Sequence, residues 1–257
     1  MFKRLIKVAF LTFVLGYFGL GLLLYSYQDK LLYHPTENIK IDYPQMVLHR
    51  DGVDVVVHVL NKGNKNAILY FGGNAESMAR SAEYIGLQFP EFTCYLMDYR
   101  GFGQSNGKAS EKKLYADALA LYDRVAKKHG RISIGGRSLG TGVATYVAAH
   151  RDVSKLALIT PYDSIEAVAQ GRYPFYPVAS LLKDKYDSLS RVKDIKAQTF
   201  IIFAENDKII PRIHTQNLID AFKKVQLDVV MIKNRGHIDI SDNARYYRVM
   251  QDFIGEG

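Results

Sequence analysis

Ser138 stands in Gly136-Arg137-Ser138-Leu139-Gly140, entered from the apolar run 132–134 and left through the small residues of 141–149. A serine on a tight turn between a strand and a helix is driven outward, where a base can reach its hydroxyl. The flanking glycines are needed because Cβ atoms would clash there. That chemistry is acyl transfer. A second match, Gly103-Gln104-Ser105-Asn106-Gly107, lies in a stretch of glycine, asparagine and charge with no strand or helix beside the serine, so Ser105 reads as loop.

A serine nucleophile needs a base in a loop at the same edge of the sheet. His237 fits, because Asn234-Arg235-Gly236-His237 follows the last apolar run and Gly236 permits a sharp turn. The other six histidines are placed less well: His129 and His150 end helices, His49 and His58 lie in an early hairpin, His34 follows the apolar N-terminus and His214 opens a helix. The orienting acid should also follow a strand. Asp207 does, after 200–204, with Glu205 and Asp239 as rivals close by in sequence. The backbone amides of Asn74, in Phe71-Gly72-Gly73-Asn74-Ala75-Glu76, and of Leu139 are the candidate oxyanion donors.

The elements that must carry these residues alternate. Strand-type runs fall at 66–71, 92–97, 131–135, 155–160, 199–204 and 227–232, and helical patterns at 76–88, 110–128, 139–150, 213–224 and 244–254. Such alternation predicts an α/β fold with a mostly parallel sheet covered by helices on both faces, its chemistry gathered at the carboxyl ends of the strands. Two earlier runs, 46–50 and 53–60, are joined by Asp51-Gly52 and predict an antiparallel hairpin at the start of the sheet.

The N-terminus is of another kind. Lys3, Arg4 and Lys7 precede 20 residues, 8–27, without a charge, enough for a helix to cross a bilayer core. A cleaved signal has a shorter apolar region and a small-x-small site, and neither is present, so the segment reads as an uncleaved signal-anchor. The basic flank stays cytoplasmic and places the rest of the chain on the non-cytoplasmic side, the periplasm in a bacterium. The chain thus divides into an anchor and neck, 1–37, and one catalytic domain, 38–257, a size that α/β domains reach as single units. The single cysteine, Cys94, excludes an internal disulfide and reads as core. The net charge is +8, three of it in the N-terminal flank, and no basic stripe with interleaved aromatics points to nucleic acid.

Residues 73–76, 98–107, 136–140, Thr160-Pro161-Tyr162-Asp163-Ser164 and Gly236-His237 together resemble the α/β-hydrolases over about 38–257, and within them the membrane-anchored abhydrolase-domain serine hydrolases related to depalmitoylases and lysophospholipases. The resemblance implies an α/β-hydrolase fold with a short lid at 161–196, in which Tyr162, Tyr173 and Phe175, with Tyr176, Leu181 and Leu182, would line an acyl-accepting groove. It implies cleavage of acyl ester or thioester bonds in a small molecule, a lipid or an acyl-peptide through Ser138, His237 and Asp207. No metal or organic cofactor is implied, because base, orienting acid and oxyanion donors suffice. Many relatives have histidine where this chain has Gly72, which puts in doubt a side-chain role there. The alternatives are an aminopeptidase-like α/β-hydrolase and a catalytically idle, membrane-tethered binding protein on the same fold.

Overall fold

The computed structural model describes residues 1–255. Eight strands form one sheet: β1 (Gln45–Arg50), β2 (Val53–Leu60), β3 (Asn66–Phe71), β4 (Phe92–Met97), β5 (Ile132–Arg137), β6 (Lys155–Ile159), β7 (Gln198–Ala204) and β8 (Leu227–Ile232), in the order β1-β2-β4-β3-β5-β6-β7-β8. The first two pairings, β1 with β2 and β2 with β4, are antiparallel, and every later one is parallel. The hairpin turns at Asp51 (φ 50°) and Gly52 (φ 75°), both left-handed, which matches the twist of the two strands.

Alternation along the strands splits the core in two. Leu69, Phe71, Ile134 and Leu158 face α3 (Glu111–Val125), α4 (Leu139–His150) and α7 (Arg212–Ala221), while Ile68, Tyr70, Cys94 and Leu96 face α2 (Met78–Gln88) and α8 (Ala244–Gly255). This is the mostly parallel, helix-covered α/β sheet that the alternating pattern predicts, with the architecture that the resemblance to α/β-hydrolases implies. Cys94 has no exposed surface, and burial pushes its thiol up to about 12. It will therefore stay unmodified by a thiol-specific disulfide reagent at pH 8 in the folded protein and react stoichiometrically only after denaturation. A spectrophotometric thiol assay with and without guanidinium checks this, and rapid native-state labelling would contradict it.

Four boundaries differ from the sequence expectation by two residues or more, and one is the end of helix α3, at Val125 in place of 128. Strand β5 runs on to Arg137, because Arg137 pairs with Ile159 across to β6. Helix α2 begins at Met78, since the Glu76 carboxylate turns back to accept from Gly73 N–H and Ser81 Oγ–H and holds 74–77 as a turn. Helix α7 ends at Ala221, ahead of a separate 3₁₀ turn at Lys224–Gln226.

The apolar N-terminus forms α1 (Phe2–Leu32), 31 residues or about 46 Å, long and apolar enough to cross a membrane. Its end is docked on the domain. Tyr33 is buried, and its hydroxyl bonds Asp184 at 2.7 Å and Tyr186 at 2.8 Å, while the Thr36 carbonyl accepts from Gly103 N–H at 3.1 Å. Asp184 and Tyr186 belong to the lid, which holds two short helices, α5 (Ile165–Arg172) and α6 (Val178–Leu181), and a 3₁₀ turn at Leu189–Asp194.

Candidate active site

The parallel strands end side by side, so the loops after β3, β5, β7 and β8 meet at one edge. Ser138, between β5 and α4, is held at φ 49°, ψ −118°, a conformation that costs energy for any residue with a Cβ and that throws the hydroxyl clear of the turn. Both neighbouring glycines are forced. A Cβ on Gly136 would come within 2.5 Å of the Gly140 carbonyl oxygen, and one on Gly140 within 1.9 Å of the Phe71 carbonyl oxygen.

His237 Nε2 lies 2.8 Å from Ser138 Oγ, and its Nδ1 lies 2.7 Å from Asp207 Oδ2. The other Asp207 oxygen accepts the N–H groups of Ile209 (2.9 Å) and Ile210 (2.8 Å), which fixes the carboxylate with one oxygen toward the imidazole. A ring that donates Nδ1–H to that oxygen presents an unprotonated Nε2 to the serine O–H. Histidine and aspartate side chains are both nearly buried, at 9% and 8% exposure, so their interaction is little diluted by water. The structure thus brings Ser138, His237 and Asp207 into one hydrogen-bonded chain from three separate loops.

The rival acids serve the histidine loop. Glu205 accepts from Asn234 N–H at 2.9 Å, and Asp239 accepts from Gly236 N–H at 2.8 Å, a bond that holds the Asp239 carboxyl below the usual carboxylate range. The Arg137 guanidinium reaches across to the Ile238 carbonyl at 2.7 Å and ties the same loop to the residue beside Ser138. Ser105 is built into the scaffold: its Oγ accepts from Val56 N–H and donates to the Asp98 carbonyl at 2.9 Å.

Gly73 passes directly over the serine, its Cβ position 3.6 Å from Ser138 Cβ. The loop is clamped on all sides. Tyr99 donates to the Gly72 carbonyl at 2.9 Å, Glu76 accepts from Gly73 N–H at 3.0 Å, and the Asn74 side-chain amide donates to the Leu32 carbonyl at 3.1 Å. The Asn74 carbonyl in turn accepts from His34 N–H at 3.1 Å. The Asn74 N–H takes part in none of the hydrogen bonds among the described residues, and Leu139, first residue of α4, has no helical carbonyl to bond. A Cβ at position 72 would fall 2.3 Å from the Met78 methyl, the movable end of that side chain, so Gly72 lets Met78 pack closely on the loop.

A cavity of about 770 Å³ opens from Ser138 and His237. Tyr162 and Tyr173 line it, as do Tyr176, Leu181 and Leu182. Tyr162 is fully buried and donates to the Leu139 carbonyl at 3.1 Å, so it braces the start of α4 as well. Phe175 is not among the lining residues: the residue is 83% exposed, and its carbonyl is engaged by the Tyr17 hydroxyl at 2.7 Å. Its neighbour Tyr176 takes the inward position in this Pro-flanked bend. Sequence reasoning missed Glu76 and Arg137, whose roles come from folding back on their own loops. It also missed the wall that α1 gives the cavity, through Gly21, Leu24, Tyr25, Gln28, Leu31 and Leu32.

Fold and site together define the α/β-hydrolases, and this chain belongs to that family. The family model described as serine aminopeptidase matches residues 62–182. An uncharacterized protein of Mycobacterium tuberculosis is 30% identical over 239 residues, covering 86% of this chain and 84% of its own. The alpha/beta hydrolase domain-containing protein 17B of Homo sapiens is 25% identical over 241 residues, covering 84% and 80%. Among solved structures, an esterase of Pyrococcus furiosus superposes with a TM-score of 0.68 at 16% identity, covering 87% of this chain and 98% of that one. The alpha/beta hydrolase domain-containing protein 10 from mouse gives a TM-score of 0.64 at 18% identity, covering 82% and 97%.

Proposed function

We propose that the protein is a membrane-anchored serine hydrolase that cleaves acyl esters or thioesters. The observation that carries the reading is the hydrogen-bonded chain from Ser138 through His237 to Asp207, opening on an apolar cavity. Ser138 Oγ attacks the acyl carbonyl carbon while its proton passes to His237 Nε2, and the ionised Asp207 stabilises the imidazolium. The N–H groups of Asn74 and Leu139 receive the developing oxyanion, each donor contributing about 3 kcal/mol. Collapse of the tetrahedral intermediate breaks the bond to the alcohol or thiol, which leaves with the proton from His237. Water, deprotonated by the same imidazole, then releases the acid and returns the proton to Ser138.

Helix α1 anchors the enzyme, and Lys3, Arg4 and Lys7 keep its N-terminus cytoplasmic, so the catalytic domain, 38–257, works on the non-cytoplasmic face. An aminopeptidase would need a free carboxylate in the cavity to meet the substrate's amine. Glu76 lines the cavity, but its carboxylate is engaged by Gly73 N–H, Tyr70 and Ser81, which disfavours that reading. The test is covalent labelling by a fluorophosphonate probe in detergent extract: labelling is expected for the wild type and Ser105→Ala and lost in Ser138→Ala. Folded wild-type protein that takes no label overturns the reading, and a panel of thioesters, lysolipids and peptides assigns the bond cleaved.

A further inference from the structure

Resting on the serine-hydrolase reading above, we infer that α1 is part of the substrate site: it forms one wall of an acyl-chain cavity that reaches into the membrane, and the substrate is an ester or thioester whose long acyl chain enters sideways from the surrounding leaflet.

A helix that served only as a tether would show lipid the same surface all round. Here Val14, Tyr17, Gly21, Leu24, Gln28 and Leu32 are half-buried, at steps of three and four that put them on one face, and of the other residues of 2–32 all but Asp29 are exposed. That face is packed against the lid. Tyr17 stacks on Tyr176 at 4.8 Å and 8°, and the Tyr176 hydroxyl donates to the Tyr17 carbonyl at 3.0 Å. Gly21 is seated against the same ring, a Cβ there falling 2.9 Å from Tyr176 Cε1. One turn and more further on, Gln28 Oε1 accepts from Lys183 N–H at 2.8 Å.

Length then fixes the depth. The part of α1 ahead of the lid, 2–16, rises only about 22 Å, and a bilayer core is about 30 Å thick. Helix α1 can span only if the stretch beside the lid is also immersed, so Pro174, Phe175 and Tyr176 lie at hydrocarbon depth. This accounts for the exposed Phe175, which faces lipid in place of water. With Lys7 at one interface, the other falls about 30 Å along, near Gln28, where Lys30, Lys108 and Lys183 gather. The cavity wall on α1 runs from Leu32, which Asn74 ties to the serine loop, to Gly21. That distance is about 16 Å, of which about 10 Å, from Gln28 to Gly21, lies below the interface and within one leaflet. An acyl chain with its carbonyl at Ser138 and its end toward Gly21 and Tyr176 would keep the direction it has in the bilayer.

The test is the chain-length profile of the full-length protein in phosphatidylcholine vesicles, read on nitrophenyl esters from butanoyl to hexadecanoyl. Gly21→Leu fills the deep end, directly or by pushing the Tyr176 ring inward, and each methylene excluded costs roughly fourfold. The ratio of hexadecanoyl to butanoyl kcat/KM should fall at least tenfold. Leu24→Trp, nearer the serine, should move the cut-off to shorter chains still. Gly19→Leu, which has open space around its Cβ, should leave the profile as in the wild type. If the wild type labels with fluorophosphonate and Gly21→Leu keeps the wild-type profile, α1 is no part of the site. If Gly19→Leu shifts the profile as far as Gly21→Leu, the effect belongs to the membrane and the inference also fails. Absence of labelling in the wild type would instead overturn the underlying hydrolase reading.

Discussion

Alanine at Ser138 or at His237 is expected to lower kcat by roughly 10⁶-fold, with the double variant no slower than either single one. The reason is that the two side chains act as one unit across a 2.8 Å hydrogen bond, so loss of either leaves only the cavity and the oxyanion donors. Asp207→Asn is expected to cost about 10⁴-fold by a distinct route. Because Asp207 Oδ1 accepts two backbone N–H groups, an asparagine would keep its carbonyl there and turn its NH₂ toward His237 Nδ1. The ring would then carry its proton on Nε2 and present a donor, not an acceptor, to Ser138. Single-turnover release of nitrophenol by the four proteins checks this. A double variant slower than both singles by the product of their effects would mean that serine and histidine act independently.

Gly140→Ala is expected to destabilise the fold by more than about 3 kcal/mol and to lower Tm by roughly 10 °C or leave no folded protein. The added methyl would meet two backbone oxygens, Phe71 O at 1.9 Å and Gly72 O at 2.6 Å, and no rotamer change can move either. To admit it, α4 must part from β3 just where the loop carrying Asn74 leaves the sheet. Gly73→Ala is the contrast, since its nearest contact, Ser138 Cβ at 3.6 Å, is ordinary van der Waals distance. Thermal unfolding of the two variants in one detergent tests the ranking, and equal melting temperatures would refute it.

Much of this arrangement was legible in sequence because each part has a local physical signature. The strands alternate with amphipathic helices, the glycines flank a serine that needs them, and Asp207 and His237 each follow an apolar run. Two features escaped. In 173–177 the chain has neither helical nor strand period, so nothing in the sequence says whether Phe175 or Tyr176 turns inward, and the structure chose Tyr176. In α1 most positions are apolar, so the face packed on the lid and the exposed face share one composition. Only Tyr17, Gly21 and Gln28, in helical register, mark the packed side. Glu76 and Arg137 act through hydrogen bonds to nearby backbone, which spacing in a single sequence does not reveal.

Asn74 is held by the last turn of α1, its side-chain amide on the Leu32 carbonyl and its own carbonyl on His34 N–H, both at 3.1 Å. A clipped or recombinant form that begins after this point would be a different catalyst from the whole chain, and its failings would extend beyond location. It would lack two restraints on the residue proposed to offer the oxyanion its N–H, and solvent would stand where the helix had been. Rates measured on such a soluble fragment therefore describe the fragment.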